Sequence, residues 1–157
     1  MKMNNVKLKD NAALFADIED IISSGGRIQL RVKGYSMRPM LRNDRDLACL
    51  APIPADGLRR GMIVLFRYRG KHVLHRIRRI EGDTLVMKGD GNYRQRETVK
   101  KSAVVAYAEA IERDGVRIEY RSETWQRLSA ASLMRKHART LYLDCRNALK
   151  RIVGHTA

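Results

Sequence analysis

The hydrophobic period of this chain changes twice, and that change constrains the fold more than any single motif. Residues 11–24 (NAALFADIEDIISS) place Leu14, Ile18, Ile21 and Ile22 at helical spacing. Gly25-Gly26 then closes the segment, as glycine does after a helix. From 27 to 121 the period becomes two. Residues 27–33 (RIQLRVK) alternate strictly, with Ile28, Leu30 and Val32 on one face and Arg27, Gln29, Arg31 and Lys33 on the other, the pattern of a half-buried strand. Segments 46–50, 62–67, 73–80, 84–88, 104–113 and 115–121 read as further strands. They are separated by turn signals such as Asp56-Gly57, Arg69-Gly70, Gly82-Asp83, Gly89-Asp90-Gly91-Asn92 and Asp114-Gly115. After Ser122 the spacing returns to about 3.6, through Trp125, Leu128, Ala131, Met134, Ala138, Leu141, Cys145, Leu149 and Ile152.

That order predicts one mainly β domain over 1–157. It comprises a short N-terminal helix (11–24), an antiparallel, partly barrel-like β core (27–121) and a basic amphipathic C-terminal helix (122–152). A chain of 157 residues is long enough to bury a real core as a single unit.

Charge narrows the partners. Lys and Arg number 32 against 17 Asp and Glu, a net charge of +15. The stretch 121–157 alone holds eight Lys/Arg against Glu123 and Asp144, a net +6. Such a balance favours anionic partners, either nucleic acid or an anionic membrane face. Aromatic residues make up only 6 %, too few for a stacking platform, and no nucleic-acid reading motif is present. A nucleic-acid role is therefore the weaker expectation, and it survives in one alternative: a catalytically silent or self-processing β module that binds peptides or nucleic acid through its basic surface. The helical tail has two open placements, the interface of an anionic membrane or the surface of the β core or a partner protein.

The first ten residues carry basic side chains with no apolar run behind them, and nowhere do about 18 apolar residues follow one another. The expectation is a cytoplasmic protein, with a peripheral contact on the inner membrane as one of the two placements of its tail. Two cysteines, Cys49 and Cys145, make no disulfide framework, and neither they nor the four histidines have metal-ligand spacing, so no cofactor and no metal are expected.

Three segments carry the chemistry. In Gly34-Tyr35-Ser36-Met37-Arg38-Pro39-Met40 a strand ends, and a small hydroxyl sits on a tight turn. That arrangement can present a nucleophile and an oxyanion-binding N–H together. In Val73-Leu74-His75-Arg76-Ile77, His75 shares a parity with Val73 and Ile77, while His72 lies on the opposite face. In Lys88-Gly89-Asp90-Gly91-Asn92 two glycines flank a carboxylate, which beside an imidazole would fix its tautomer. Each segment alone is ordinary: a turn serine, a core histidine, a hairpin acid.

Read in order, the three segments resemble the type I signal peptidase family, with Arg60-Gly61-Met62-Ile63-Val64-Leu65-Phe66 as the strand between the serine and base boxes. The resemblance runs from about Val32 to Val105 and is closest to the branch whose base is histidine. More finely, the chain is similar over nearly its whole length to small peptidase-like proteins of Bacteroides-type bacteria that lack a transmembrane anchor. The resemblance implies a serine endopeptidase that cleaves a polypeptide substrate, with Ser36 as nucleophile, His75 as general base and Asp90 as the acid orienting it. It implies that Tyr35, Met37 and Pro39 shape the oxyanion site or position the substrate. It also implies a β fold shared with self-cleaving SOS-type repressor peptidases. Those use a lysine base; the nearest lysine here, Lys71, reads as a turn residue and ranks below His75. The chain departs from the family at Met62, where an acid usually follows the glycine, and in showing no apolar run long enough to be the family's membrane anchor.

Overall fold

A computed structural model describes residues 11–92 and 95–153. Its elements run α1 (Asn11–Ser23), β1 (Ile28–Arg31), β2 (Leu47–Ala51), β3 (Ile63–Tyr68), β4 (Lys71–Glu81), β5 (Thr84–Lys88), β6 (Glu97–Lys100), β7 (Val104–Arg113), β8 (Val116–Glu119) and α2 (Glu123–Val153), with one 3-10 turn at Lys101–Ala103. The chain is thus mainly β, with a helix at each end of the core. All strand pairs are antiparallel, and the eight strands form one sheet in the order β1-β2-β7-β3-β4-β5-β6, with β8 on the second half of β7. The sheet is open, ending on β1 and β6. Register breaks between Cys49 and Leu50, Leu65 and Phe66, and Ile77 and Arg79 bend and twist the long strands.

Strand alternation builds two apolar clusters. In β3, Ile63 and Leu65 face one cluster, and Val64 and Phe66 face the other, so this central strand is buried on both sides. The first cluster joins Leu50, Ala106, Ala108 and Ile111 to Ile18 and Ile22 of α1 and Trp125 of α2. The second joins Met62, Val64, Phe66, Ile77, Leu85, Met87 and Val104.

Local chemistry explains the helix ends. Gly26 N–H donates to the Ile21 carbonyl at 2.8 Å and Gly25 N–H to that of Ile22 at 3.0 Å, with Gly25 at φ +83°, the glycine C-cap that the doublet predicts. α1 is tied to the β3–β4 hairpin by Phe15, stacked on His72 at 4.1 Å, and by Glu19, 2.7 Å from His72 Nε2. Ser122 caps α2, its Oγ accepting the Trp125 N–H at 3.2 Å.

β6 is the one strand that the sequence pattern did not announce. It lies in the charged run Arg96-Glu97-Thr98-Val99-Lys100-Lys101 and forms a sheet edge, where charged side chains are favoured because they discourage further pairing. Lys71 opens β4 rather than standing in the turn, and it is exposed.

Candidate active site

Ser36 lies in the long connection between β1 and β2, and that connection is anchored at both ends. Val32 N–H donates to the Asp46 carbonyl at 3.2 Å, and Asp44 N–H to that of Val32 at 2.7 Å. Gly34, at φ +101°, turns the chain away from the strand, and its N–H donates to Asn43 Oδ1 at 2.7 Å. Met37, Met40 and Leu41 are sunk into the first cluster and hold the turn down. Behind the turn, buried Asp46 accepts from Arg42 Nε at 2.8 Å and Arg113 Nη2 at 2.7 Å, and Arg113 Nη2 also reaches the Met40 carbonyl at 2.9 Å. Burial pushes the Asp46 carboxyl up, but the hydrogen bonds from Arg113 and Arg42 outweigh it and hold the group below the usual carboxylate range. What remains in reach of a ligand is the tip: half-buried Ser36 and exposed Tyr35, whose ring lies 4.6 Å from the Arg38 guanidinium.

His75 sits on β4 facing the second cluster with Val73 and Ile77, as its parity requires, and its ring lies 6.2 Å from that of Phe66. It is almost fully buried. Its Nδ1 lies 2.9 Å from Oε2 of Glu97, itself buried at the start of β6. Glu97 stands opposite Met87 of β5, which stands opposite Ile77, so His75 and Glu97 share a face across two strand spacings, about 10 Å. Two long side chains leaning together close that gap. With Nδ1 held by a carboxylate, Nε2 is the nitrogen available for proton transfer.

The Gly89-Asp90-Gly91-Asn92 turn fits between His75 and the serine turn. Gly91 N–H donates to the Ser36 carbonyl at 2.7 Å. A Cβ on Gly89 would stand 2.4 Å from the Ser36 carbonyl oxygen and 3.0 Å from His75 Nε2. A Cβ on Gly91 would stand 2.5 Å from the Tyr35 carbonyl oxygen. Both glycines are therefore required by close backbone approach. The serine turn and Nε2 of His75 meet at one point, the bare α-carbon face of Gly89.

Asp90 does not do what the motif resemblance implies. Its carboxylate accepts from Arg76 Nε at 2.9 Å and Nη2 at 2.7 Å, and from Arg78 Nη2 at 2.9 Å. The reason is the pleat: neighbouring residues on a strand point to opposite faces, so an acid that meets Arg76 cannot also meet His75. Arg76 Nη1 continues to the Gly61 carbonyl at 2.9 Å, so the Arg60-Gly61 turn, β4 and the glycine turn form one buried clamp. Met37 is placed in the core. Its side chain is a core anchor, leaving only its backbone to face a ligand. Pro39, joined to Arg38 by a cis peptide, is half-buried, and its carbonyl accepts from Arg113 Nη2 at 3.4 Å.

Sequence reading missed Glu97. The signal was present but short: Glu97 and Val99 alternate with exposed Thr98 and Lys100, which turns the glutamate inward. No protein-family model matches this chain, and no curated protein matches it.

Proposed function

We propose that the chain is a serine endopeptidase of signal-peptidase type, with Ser36 as nucleophile and His75 as general base. The observation that carries this reading is the environment of one side chain: His75 holds a buried carboxylate on Nδ1 and turns Nε2 toward the serine turn. In the reaction, Nε2 takes the proton from Ser36 Oγ as the oxygen attacks a peptide carbonyl. Backbone N–H groups of the serine turn receive the oxyanion, a contribution of about 3 kcal/mol per donor in such enzymes. The C–N bond breaks as protonated His75 returns its proton to the leaving amine. Water then repeats the sequence on the acyl-enzyme and restores Ser36. The substrate is a polypeptide, and no step calls for a metal or cofactor.

The test is incubation with a complex peptide mixture and mass-spectrometric counting of new termini. Wild type is expected to produce a defined set, and Ser36→Ala and His75→Ala none of it. Undiminished cleavage by Ser36→Ala would refute the assignment. The net charge of +15 is what favours the alternative of a silent basic module. DNA binding with a steep salt dependence, together with no cleavage by wild type, would select it.

A further inference from the structure

α2 is longer than the surface it packs on. Its 31 residues extend about 46 Å, but among the described residues its core-facing side chains come from its first turns. Trp125 is buried in the first cluster and meets Tyr120 edge-on at 5.4 Å. Leu128 packs beside it, Ser129 Oγ reaches Met40 Sδ at 3.8 Å, and Ser132 is buried. At about 100° per residue these four lie within one narrow arc of the helix.

Beyond Ser132 the apolar residues change sides. Met134 and Leu141 lie about 160–180° round the axis from Trp125, with Ala138 at about 220° and Tyr142 at about 260° extending the stripe to one side. Met134, Leu141 and Tyr142 are 68 %, 66 % and 64 % exposed, and Ala138 is exposed too. The face that grips the core and the apolar stripe further along are back to back. No continuation of the docking seen at Trp125 could cover Met134 and Leu141. The periodicity that gives this stripe continues in the sequence through Cys145, Leu149 and Ile152.

We propose that this part of α2 docks on an anionic lipid surface, lying along the interface with Met134, Leu141 and Tyr142 toward the acyl chains. Charge decides the occupant. The stretch 121–157 carries a net +6, and the whole chain +15. A second copy of α2 laid against the first would set two like-charged segments side by side, whereas an anionic headgroup layer is complementary to each. Tyr142 suits the same place, since a phenol ring takes the boundary between water and hydrocarbon. Among the described residues no helix is long and apolar enough to cross a membrane, so the contact lies on the surface rather than through it. This inference is independent of the peptidase reading.

The experiment is flotation of the full chain with vesicles of phosphatidylcholine alone or mixed with phosphatidylglycerol. Binding to the mixed vesicles is expected to exceed binding to the neutral ones by at least about tenfold, and to fall as salt screens the charges. The variants M134E and L141E replace exposed side chains; their unchanged melting temperature is confirmed first, and each is expected to lose most of the flotation. Equal flotation on both vesicle types, or none, would overturn the proposal. So would undiminished binding by both variants, which would assign the contact to general basic charge. Concentration-dependent dimers in sedimentation that M134E and L141E abolish, without lipid binding, would give the stripe to a second copy of the chain.

Discussion

Replacing Gly89 with alanine adds one methyl group at the point where the serine turn meets His75. The added carbon would stand 2.4 Å from the Ser36 carbonyl oxygen, where contacts of 3.4 Å and beyond are ordinary. The serine turn and the glycine turn must therefore part by about 1 Å, because the neighbour is backbone and cannot swing aside. Gly89 is not among the glycines with positive φ, so alanine carries no conformational penalty there and the whole effect comes from contact. Overpacking of this kind costs about 1–3 kcal/mol of stability. The functional cost is larger in proportion. The displaced oxygen belongs to Ser36 itself and also accepts the Gly91 N–H, so separation shifts the whole serine turn relative to His75 Nε2. A misplacement of about 1 Å typically costs about 100-fold in rate. The assay is kcat/KM on a cleaved peptide, below the melting temperature of each variant. Gly57→Ala is the control. Gly57 has φ +83° with open space around it, so alanine there strains the backbone without pressing on the serine turn. A Gly89→Ala enzyme with full kcat/KM would refute the wedge argument, as would an equal loss in Gly57→Ala.

The parts of this fold that were legible in the sequence are those where one face is buried and the other wet. The alternation of Ile28 and Leu30 against Gln29 and Arg31 specifies a strand, because a slip of one residue would exchange its two faces. The Gly25-Gly26 doublet specifies where α1 stops, because the cap needs a left-handed residue. Legibility fails where the cause is tertiary. Four residues of β6 show little apolar signal, since their partner strand supplies the burial. The same holds at the site. Ser36 and His75 can be picked out by residue type, order and strand parity, but the carboxylate on His75 is chosen by the sheet. Asp90 is close in sequence to the relevant turn yet faces Arg76, and Glu97 reaches the imidazole from an edge strand two positions across. The glycines of the Gly-Asp-Gly-Asn turn were legible as turn residues. Their sharper role, admitting the Ser36 and Tyr35 carbonyls, depends on a contact more than fifty positions away along the chain.

The two acids near the site are expected to separate by assay. Glu97→Gln should lower kcat/KM by about 10³–10⁴-fold with a modest loss of stability, as loss of the orienting carboxylate does in serine triads. Asp90→Asn should act first on stability, by about 3–5 kcal/mol, because it breaks a buried carboxylate–guanidinium clamp. The reverse ranking, with Asp90→Asn the deeper kinetic lesion at equal folded fraction, would restore Asp90 as the orienting acid. Cys49 is buried and its thiol is pushed up by burial, so in a Cys145→Ser background it should react with a thiol reagent only as fast as the chain opens. Prompt native-state labelling would contradict that. Acid should loosen the back of the serine turn. Asp46 holds the back of the serine turn through Arg42 and Arg113, and its carboxyl is kept below the usual range. A depressed folded-state value means that the folded protein binds fewer protons than the unfolded chain. The stabilisation is therefore complete above the unfolded value near pH ~4 and drains away as pH falls through the folded one. Asp46→Asn removes the charge at every pH and should cost about 3 kcal/mol at neutrality, the lower end of the range for a buried pair because both arginines keep some contact with water. Thermal melts of both proteins at neutral pH and near pH ~3 should therefore converge as the pH falls. A gap in melting temperature that stays constant down to the lowest pH would show that Asp46 contributes through shape alone, and the electrostatic account of how the serine turn is held would fail.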